Sequence, residues 1–150
     1  MSEIQYTESA ASSRVQQVAV KYRVHEENAF TLINRAQNGL PVSAFHDLIG
    51  ISGLSNEELA GLLDLSYKTI QRYQKDGKKL SALNSEQLLK MIVLWQKAEE
   101  VFGDLASFTR WLRKPAVGLG NRVPMPFLQT SGGIDLIREE LLRIEHGALA

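Results

Sequence analysis

Cysteine is absent from this 150-residue sequence, so structural disulfides, zinc–thiolate sites and thiol chemistry are excluded from the outset. No apolar run approaches the ~20 residues a membrane helix needs, and the polar start MSEIQYTESAASS carries no secretory signal. The expected compartment is the cytoplasm, away from any membrane. Net charge is lacking too: 17 Lys and Arg balance 17 Asp and Glu, so the whole molecule exerts no pull on a polyanion. Histidine is sparse, and His25, His46 and His146 stand in no ligand spacing such as HExxH. Glu99-Glu100 and Glu139-Glu140 are adjacent pairs that point in different directions on a helix, so neither makes a convergent acid–base site. Gly118-Leu119-Gly120 follows Pro115 rather than a strand and lacks a third glycine, which makes turn chemistry a better account of it than a nucleotide loop. These gaps leave no basis for catalysis, a metal or a cofactor.

What is present is a pattern of helices. Residues 1–13 are small and polar and are expected to be poorly ordered alone. Val15 to Val24 fits both a strand alternation and a helical stripe. The spacing predicts a helix over 26–38 with Ala29, Phe30, Ile33 and Ala36 inward, then another from Ser43 to near Gly50. Asn84 and Gln87 are expected to cap a long helix carrying Leu88, Met91, Ile92, Trp95, Ala98 and Phe102. Asp104 opens a shorter one with Leu105, Phe108, Trp111 and Leu112, and Ser131-Gly132-Gly133 precedes a last one bearing Ile134, Ile137, Leu141 and Ile144. The fold class is all-α, divided into an N-terminal segment at 1–40 (partly flexible), a middle region at 41–81 and a C-terminal domain at 82–150.

The most informative stretch is Ser55 to Tyr73, SNEELAGLLDLSYKTIQRY. Ser55 and Glu58 form a capping box, and Leu59, Leu62 and Leu63 follow at helical spacing. Asp64-Leu65-Ser66 breaks the run, Ser66 caps a second helix, and Ile70 and Tyr73 give that helix an inner face. This is a helix-turn-helix, the arrangement that places its second helix in the DNA major groove. Charge agrees locally. Residues 1–64 hold four Lys/Arg against eight Asp/Glu and residues 80–150 hold eight of each, whereas 65–79 hold five against one, a net of +4. Ser66, Tyr67, Lys68, Thr69, Gln71, Arg72 and Lys75 are therefore the candidate DNA contacts, through phosphate at the helix start and through Gln and Arg to base edges. Tyr67 and Thr69 fit packing or capping equally well.

The C-terminal half adds an ordered string: Val101-Phe102-Gly103-Asp104, Trp111-Leu112, Leu119-Gly120, Pro124, Leu128, Thr130, Gly133, and Leu142-Arg143-Ile144-Glu145 with Gly147. That string, behind the helix-turn-helix, resembles the Xre/MbcA/ParS antitoxins, with the resemblance running from about Ser43 to the end. Asn121 and Pro126 depart from the family's usual loop. The resemblance implies an Xre-like helix-turn-helix followed by a small helical toxin-binding domain. It further implies a RES-domain toxin encoded by the adjacent gene, NAD-degrading or ADP-ribosylating, as partner. Operator DNA of the shared operon and self-association, as a homodimer within a larger complex, follow from it as well. The residues it puts forward for toxin binding are Glu139, Glu140, Arg143, Glu145, His146, Gly147, Ala148, Leu149 and Ala150, with the end beyond Gly147 entering the toxin cleft. Trp95, Phe102, Phe108 and Trp111 fit toxin-facing anchors or the core, with their helical spacing favouring the core, and the stripe from Ile134 to Ile144 fits its own domain, a dimer seam or both. The competing readings are a stand-alone dimeric helix-turn-helix regulator and a helical adaptor that no longer binds DNA.

Overall fold

The structure, a computed structural model, describes residues 14–24 and 28–147. His25, the 1–13 segment and Ala148 to Ala150 lie outside the described residues, and with them the expectations placed there. Eight α-helices are described: α1 Arg14–Lys21, α2 Ala29–Asn38, α3 Ser43–Ser52, α4 Asn56–Leu62, α5 Tyr67–Asp76, α6 Ala82–Phe102, α7 Leu105–Leu112 and α8 Ser131–Glu145. Two 3-10 turns, Val117–Leu119 and Met125–Gln129, fill the connection between α7 and α8. The all-α expectation therefore stands, and the ambiguous Val15–Val24 stretch begins as the helix α1.

α6 is the axis of the molecule. Ser85, Gln87, Leu88, Leu89, Met91, Ile92, Leu94, Trp95 and Ala98 are all buried on it, over a broad face, while Leu83, Glu86, Lys90, Lys97 and Glu100 mark the less covered side. A buried face that broad needs several neighbours, and α1, α2, α3, α7 and α8 each pack on α6. One continuous apolar core results, running from Val15 on α1 to Leu141 on α8. Phe45, Trp95 and Phe108 are its largest fully buried side chains, and the Trp95 and Phe108 rings meet edge to face at 5.0 Å. Phe102 and Trp111 flank that pair and are half-buried, so the four aromatics are core and core margin.

Three local expectations need correction. On α2 the inner residues are Leu32 and Ala36, whereas Phe30 is 79% and Ile33 46% exposed. This helix has apolar residues on two sides, and packing against α6 selects the other one. The cap of α6 is Ser81, whose hydroxyl accepts the Asn84 N–H at 3.1 Å. Asn84 and Gln87 lie one turn inside and serve a different purpose, described below. Finally, α8 starts at Ser131, before its two glycines, because the Thr130 hydroxyl accepts the Gly133 N–H at 2.9 Å. Gly133 has a steric reason to be glycine: a Cβ there would stand 1.8 Å from the Phe127 carbonyl oxygen.

Candidate nucleic-acid and partner interfaces

The helix-turn-helix is built by short-range hydrogen bonds of the kind its sequence announces. Ser55 accepts the Glu58 N–H at 3.0 Å, and Glu58 Oε1 accepts the Ser55 N–H at 3.1 Å, closing the capping box of α4. Ser66 accepts the Thr69 N–H at 3.1 Å and caps α5. The turn between them passes through Asp64 at φ 60, a left-handed position that Asp tolerates better than most residues. Ile70 is fully buried beneath α5, and Tyr67 stacks on the core ring of Phe45 at 6.2 Å.

That packing sorts the proposed DNA contacts. Lys68, Gln71, Arg72 and Lys75 are exposed along the outer face of α5. Ser66 and Thr69 bond to each other across 2.9 Å at the helix start, and Tyr67 turns its ring inward. The outer face therefore carries three cations and one amide, with Ser66 and Thr69 at its N-terminal edge. Two further features had no signature in the spacing. The Arg72 guanidinium lies 5.8 Å from the centre of the Tyr73 ring, and the Lys78 ammonium lies 4.4 Å from it.

Asn84 and Gln87 tie this unit to the rest. Asn84 Nδ2 donates to the Leu63 carbonyl at 2.9 Å, and Gln87 Nε2 donates to the Leu62 carbonyl at 3.0 Å. These are carbonyls at the C-terminal end of α4, which the helix itself leaves without a partner. The same Gln87 Nε2 reaches the Gln129 carbonyl at 3.0 Å, on the turn that leads into α8. The sequence contained a clue: both residues stand on the inner stripe of α6, where a polar side chain must find partners. On the outside, Arg113 grips Glu58 bidentately at 2.7 and 3.1 Å. Those hydrogen bonds, with that from the Ser55 N–H, hold the Glu58 carboxyl down at about 2. No sequence signal connects two residues 55 positions apart.

A second electrostatic knot sits where α1 meets α3. Lys21 Nζ and the Tyr22 hydroxyl both donate to Asp47, at 2.8 and 2.5 Å. Burial pushes the Asp47 carboxyl up, but these two hydrogen bonds outweigh it and hold the group below its ordinary value. Tyr22 moves the other way, first through burial and then through its bond to the Asp47 carboxylate.

The partner-facing residues proposed on α8 divide. Glu139 and His146 are exposed, and Glu145 is exposed while bonded to Lys97 at 2.8 Å, which raises the lysine's pKa. Glu140 must be withdrawn as a surface contact, because it is fully buried. Its Oε1 accepts from Arg143 Nε at 2.8 Å, while its Oε2 has no hydrogen-bond partner among the described residues. The 116–122 loop covers it so closely that a Cβ on Gly118 would stand 1.6 Å from Oε2. A single antiparallel bridge between Ala116 and Arg122 closes that loop, with Gly120 and Asn121 both left-handed at φ 64. Asn121 thus does what a second glycine would do there. Ile134, Ile137 and Leu141 are buried within the chain's own core, which settles the first of the options for that stripe. Among the described residues no helix is long and apolar enough to cross a membrane.

Comparison with known proteins gives the following. Residues 31–93 match the model of the antitoxin Xre-like helix-turn-helix domain, a span that takes in α3, α4, α5, most of α2 and the first half of α6. Residues 97–147 match the antitoxin Xre/MbcA/ParS C-terminal toxin-binding domain, from late α6 through α8. An antitoxin Xre of Photorhabdus laumondii is 24% identical over 113 residues, which is 75% of this chain and 76% of that protein. An antitoxin Xre of Pseudomonas putida is 33% identical over 80 residues, 53% of this chain and half of the relative. The fold is shared with a chain in the crystal structure of the M. tuberculosis MbcT-MbcA toxin-antitoxin complex, with a TM-score of 0.56 and 20% identity. That superposition covers 71% of this chain and 94% of the other.

Proposed function

Since the chain belongs to the Xre/MbcA/ParS antitoxin family, with both of that family's domains in order, we propose that it neutralises a RES-domain toxin encoded by the neighbouring gene and represses their shared operon. The toxin supplies the NAD-degrading or ADP-ribosylating chemistry, and this chain is the non-enzymatic partner. It acts in the cytoplasm as a homodimer within a larger toxin–antitoxin assembly.

The observation that carries the reading is the pairing of two surfaces on one core. One is the outer face of α5, where Lys68, Gln71, Arg72 and Lys75 stand clear of the body. The other is the end of α8, where Glu139, Arg143, Glu145, His146 and Gly147 are exposed. Cationic side chains on a capped helix suit duplex phosphate and guanine edges. The α8 end presents carboxylates, which suit the basic lining expected of a site that receives a dinucleotide. The residues that follow Gly147 enter that site in this reading.

Co-expression with the adjacent RES reading frame tests it. The intact chain is expected to restore growth and to co-purify with the toxin, and a chain ending at His146 is expected to protect less well. Purified protein should also shift a duplex from its own promoter, with Arg72→Ala plus Lys75→Ala weakening the shift. A chain that neither protects nor binds its promoter would refute the proposal.

A further inference from the structure

The basic surface does not stop where α5 stops. Gly77 ends the helix in the left-handed region at φ 65, and the Lys78 N–H then bonds back to the Tyr73 carbonyl at 2.8 Å. Two residues on, the Leu80 N–H bonds to the Leu40 carbonyl at 2.9 Å, and the Leu80 side chain is buried. Lys78 and Lys79 are therefore mounted on backbone pinned at both ends, not on a loose loop. Packing on the other side agrees: a Cβ on Gly39 would stand 2.9 Å from the Leu80 carbonyl oxygen and 3.3 Å from the Lys79 Cβ.

Beside these lysines lies an open groove of about 390 Å3, between Tyr73, Gln74, Lys78 and Lys79 on one wall and Ser43 and His46 at the start of α3 on the other. The carboxylate on its lining is Asp47, which already accepts from Lys21 and from the Tyr22 hydroxyl. Asp76, exposed on the last turn of α5, does not line the groove. Tyr73 connects the groove to the outer face of α5, because its ring lies under both the Lys78 ammonium and the Arg72 guanidinium. Each cation loses freedom against the same ring, so the ring ties the placement of one to that of the other.

We propose that Lys78 and Lys79 form a shoulder that binds the sugar–phosphate backbone of duplex DNA flanking the stretch read by α5, with Tyr73 as the positioning residue that aligns Lys78 with Arg72. This rests on the DNA-binding reading above and extends its footprint past the recognition helix. The contact is with phosphate, so it adds affinity and fixes orientation without adding base preference.

The test is fluorescence anisotropy of the full-length protein on a promoter duplex, from 50 to 200 mM KCl. Removing two phosphate contacts should make the slope of log affinity against log salt shallower by about 1.8, so the deficit of Lys78→Gln plus Lys79→Gln should be about 12-fold greater at 50 mM than at 200 mM. Lys78→Arg plus Lys79→Arg should restore the slope, and the ranking of mismatched duplexes should not change. Tyr73→Phe should keep the parental slope, whereas Tyr73→Leu should move part of the way towards the glutamine variant. If the parent binds and the glutamine variant shows the parental slope, the shoulder is refuted while DNA binding by α5 stands. If the parent itself shows no salt-dependent binding, both proposals fall.

Discussion

Gln87 offers the sharpest test of how this molecule is held together. It is 7% exposed, and one amide serves three partners: it donates to the carbonyls of Leu62 and Gln129, both at 3.0 Å, and accepts from Asn84 Nδ2 at 3.1 Å. Gln87→Met keeps the length and much of the shape of the side chain while deleting every donor. The Leu62 carbonyl is then left buried without that donor, at about 1–3 kcal/mol, while the Gln129 carbonyl, on an exposed residue, can turn to water and adds less. Asn84 Nδ2 keeps its bond to the Leu63 carbonyl, so it adds little. The expected loss is about 3 kcal/mol, a large share of the ~5–15 kcal/mol that holds a domain together. In a chain of this size that lowers the melting temperature by roughly 6–12 °C. Urea unfolding should show the midpoint falling with the slope unchanged. Gln87→Glu separates a hydrogen-bond effect from a packing effect, because it turns the donor towards two carbonyl oxygens as a carboxylate. It should be worse than Gln87→Met at pH 7 and recover partly on mild acidification, since burial raises a carboxyl's pKa and the protonated form donates again. If Gln87→Met lies within about half a kcal/mol of the parent, and Gln87→Glu behaves like it at both pH values, the account of Gln87 as a structural donor is wrong.

Two more outcomes can be checked on the purified protein. The Glu58 carboxyl is depressed from 4.5 to about 2, so the stabilisation from its Arg113 pair is complete above about pH 5 and drains as pH falls through 2. Because both side chains are partly exposed, the pair is worth about 1 kcal/mol or less, and Glu58→Gln should flatten the acid limb of the unfolding profile by that amount, an unchanged limb arguing against it. Gly118→Ala drives a methyl into the buried Glu140 carboxylate and should cost about 1–3 kcal/mol in chemical denaturation. Combined with Glu140→Ala it should cost less than the two single changes added together, and simple additivity would mean the two groups do not meet.

The helix-turn-helix was legible because everything that builds it is local. Ser55 with Glu58 and Ser66 with Thr69 are pairs three residues apart, and the charge window over 65–79 needs only counting. On α2 the pattern gets Ala36 right but sets Phe30 and Ile33 inward in place of Leu32, for an opposite reason. Phe30 with Ile33 and Leu32 with Ala36 are both helical pairs, so periodicity cannot choose between them, and the choice belongs to α6. Asn84 and Gln87 look like caps in the sequence because they are polar residues near a helix start. The cap fell to Ser81, which has the extended backbone a cap requires. Glu140 shows a third kind of limit. A glutamate next to another glutamate on an amphipathic helix reads as solvated, and only the return of the 116–122 loop buries it.

The placement of α6 has one more consequence. A 21-residue rod runs unbroken through the boundary that the two domain matches suggest, and its residues lock to α4 at one end and to α8 along its length. The surface proposed for a duplex, on α5, and the surface proposed for a partner, at the end of α8, are thus joined through packed helices rather than by a tether. The molecule is a ruler: its own span sets the separation between whatever lies at either tip. Under the function proposed above, copies bound side by side on a duplex would take their spacing from the protein body, and inserting or removing half a helical turn of DNA between their sites would put them out of step.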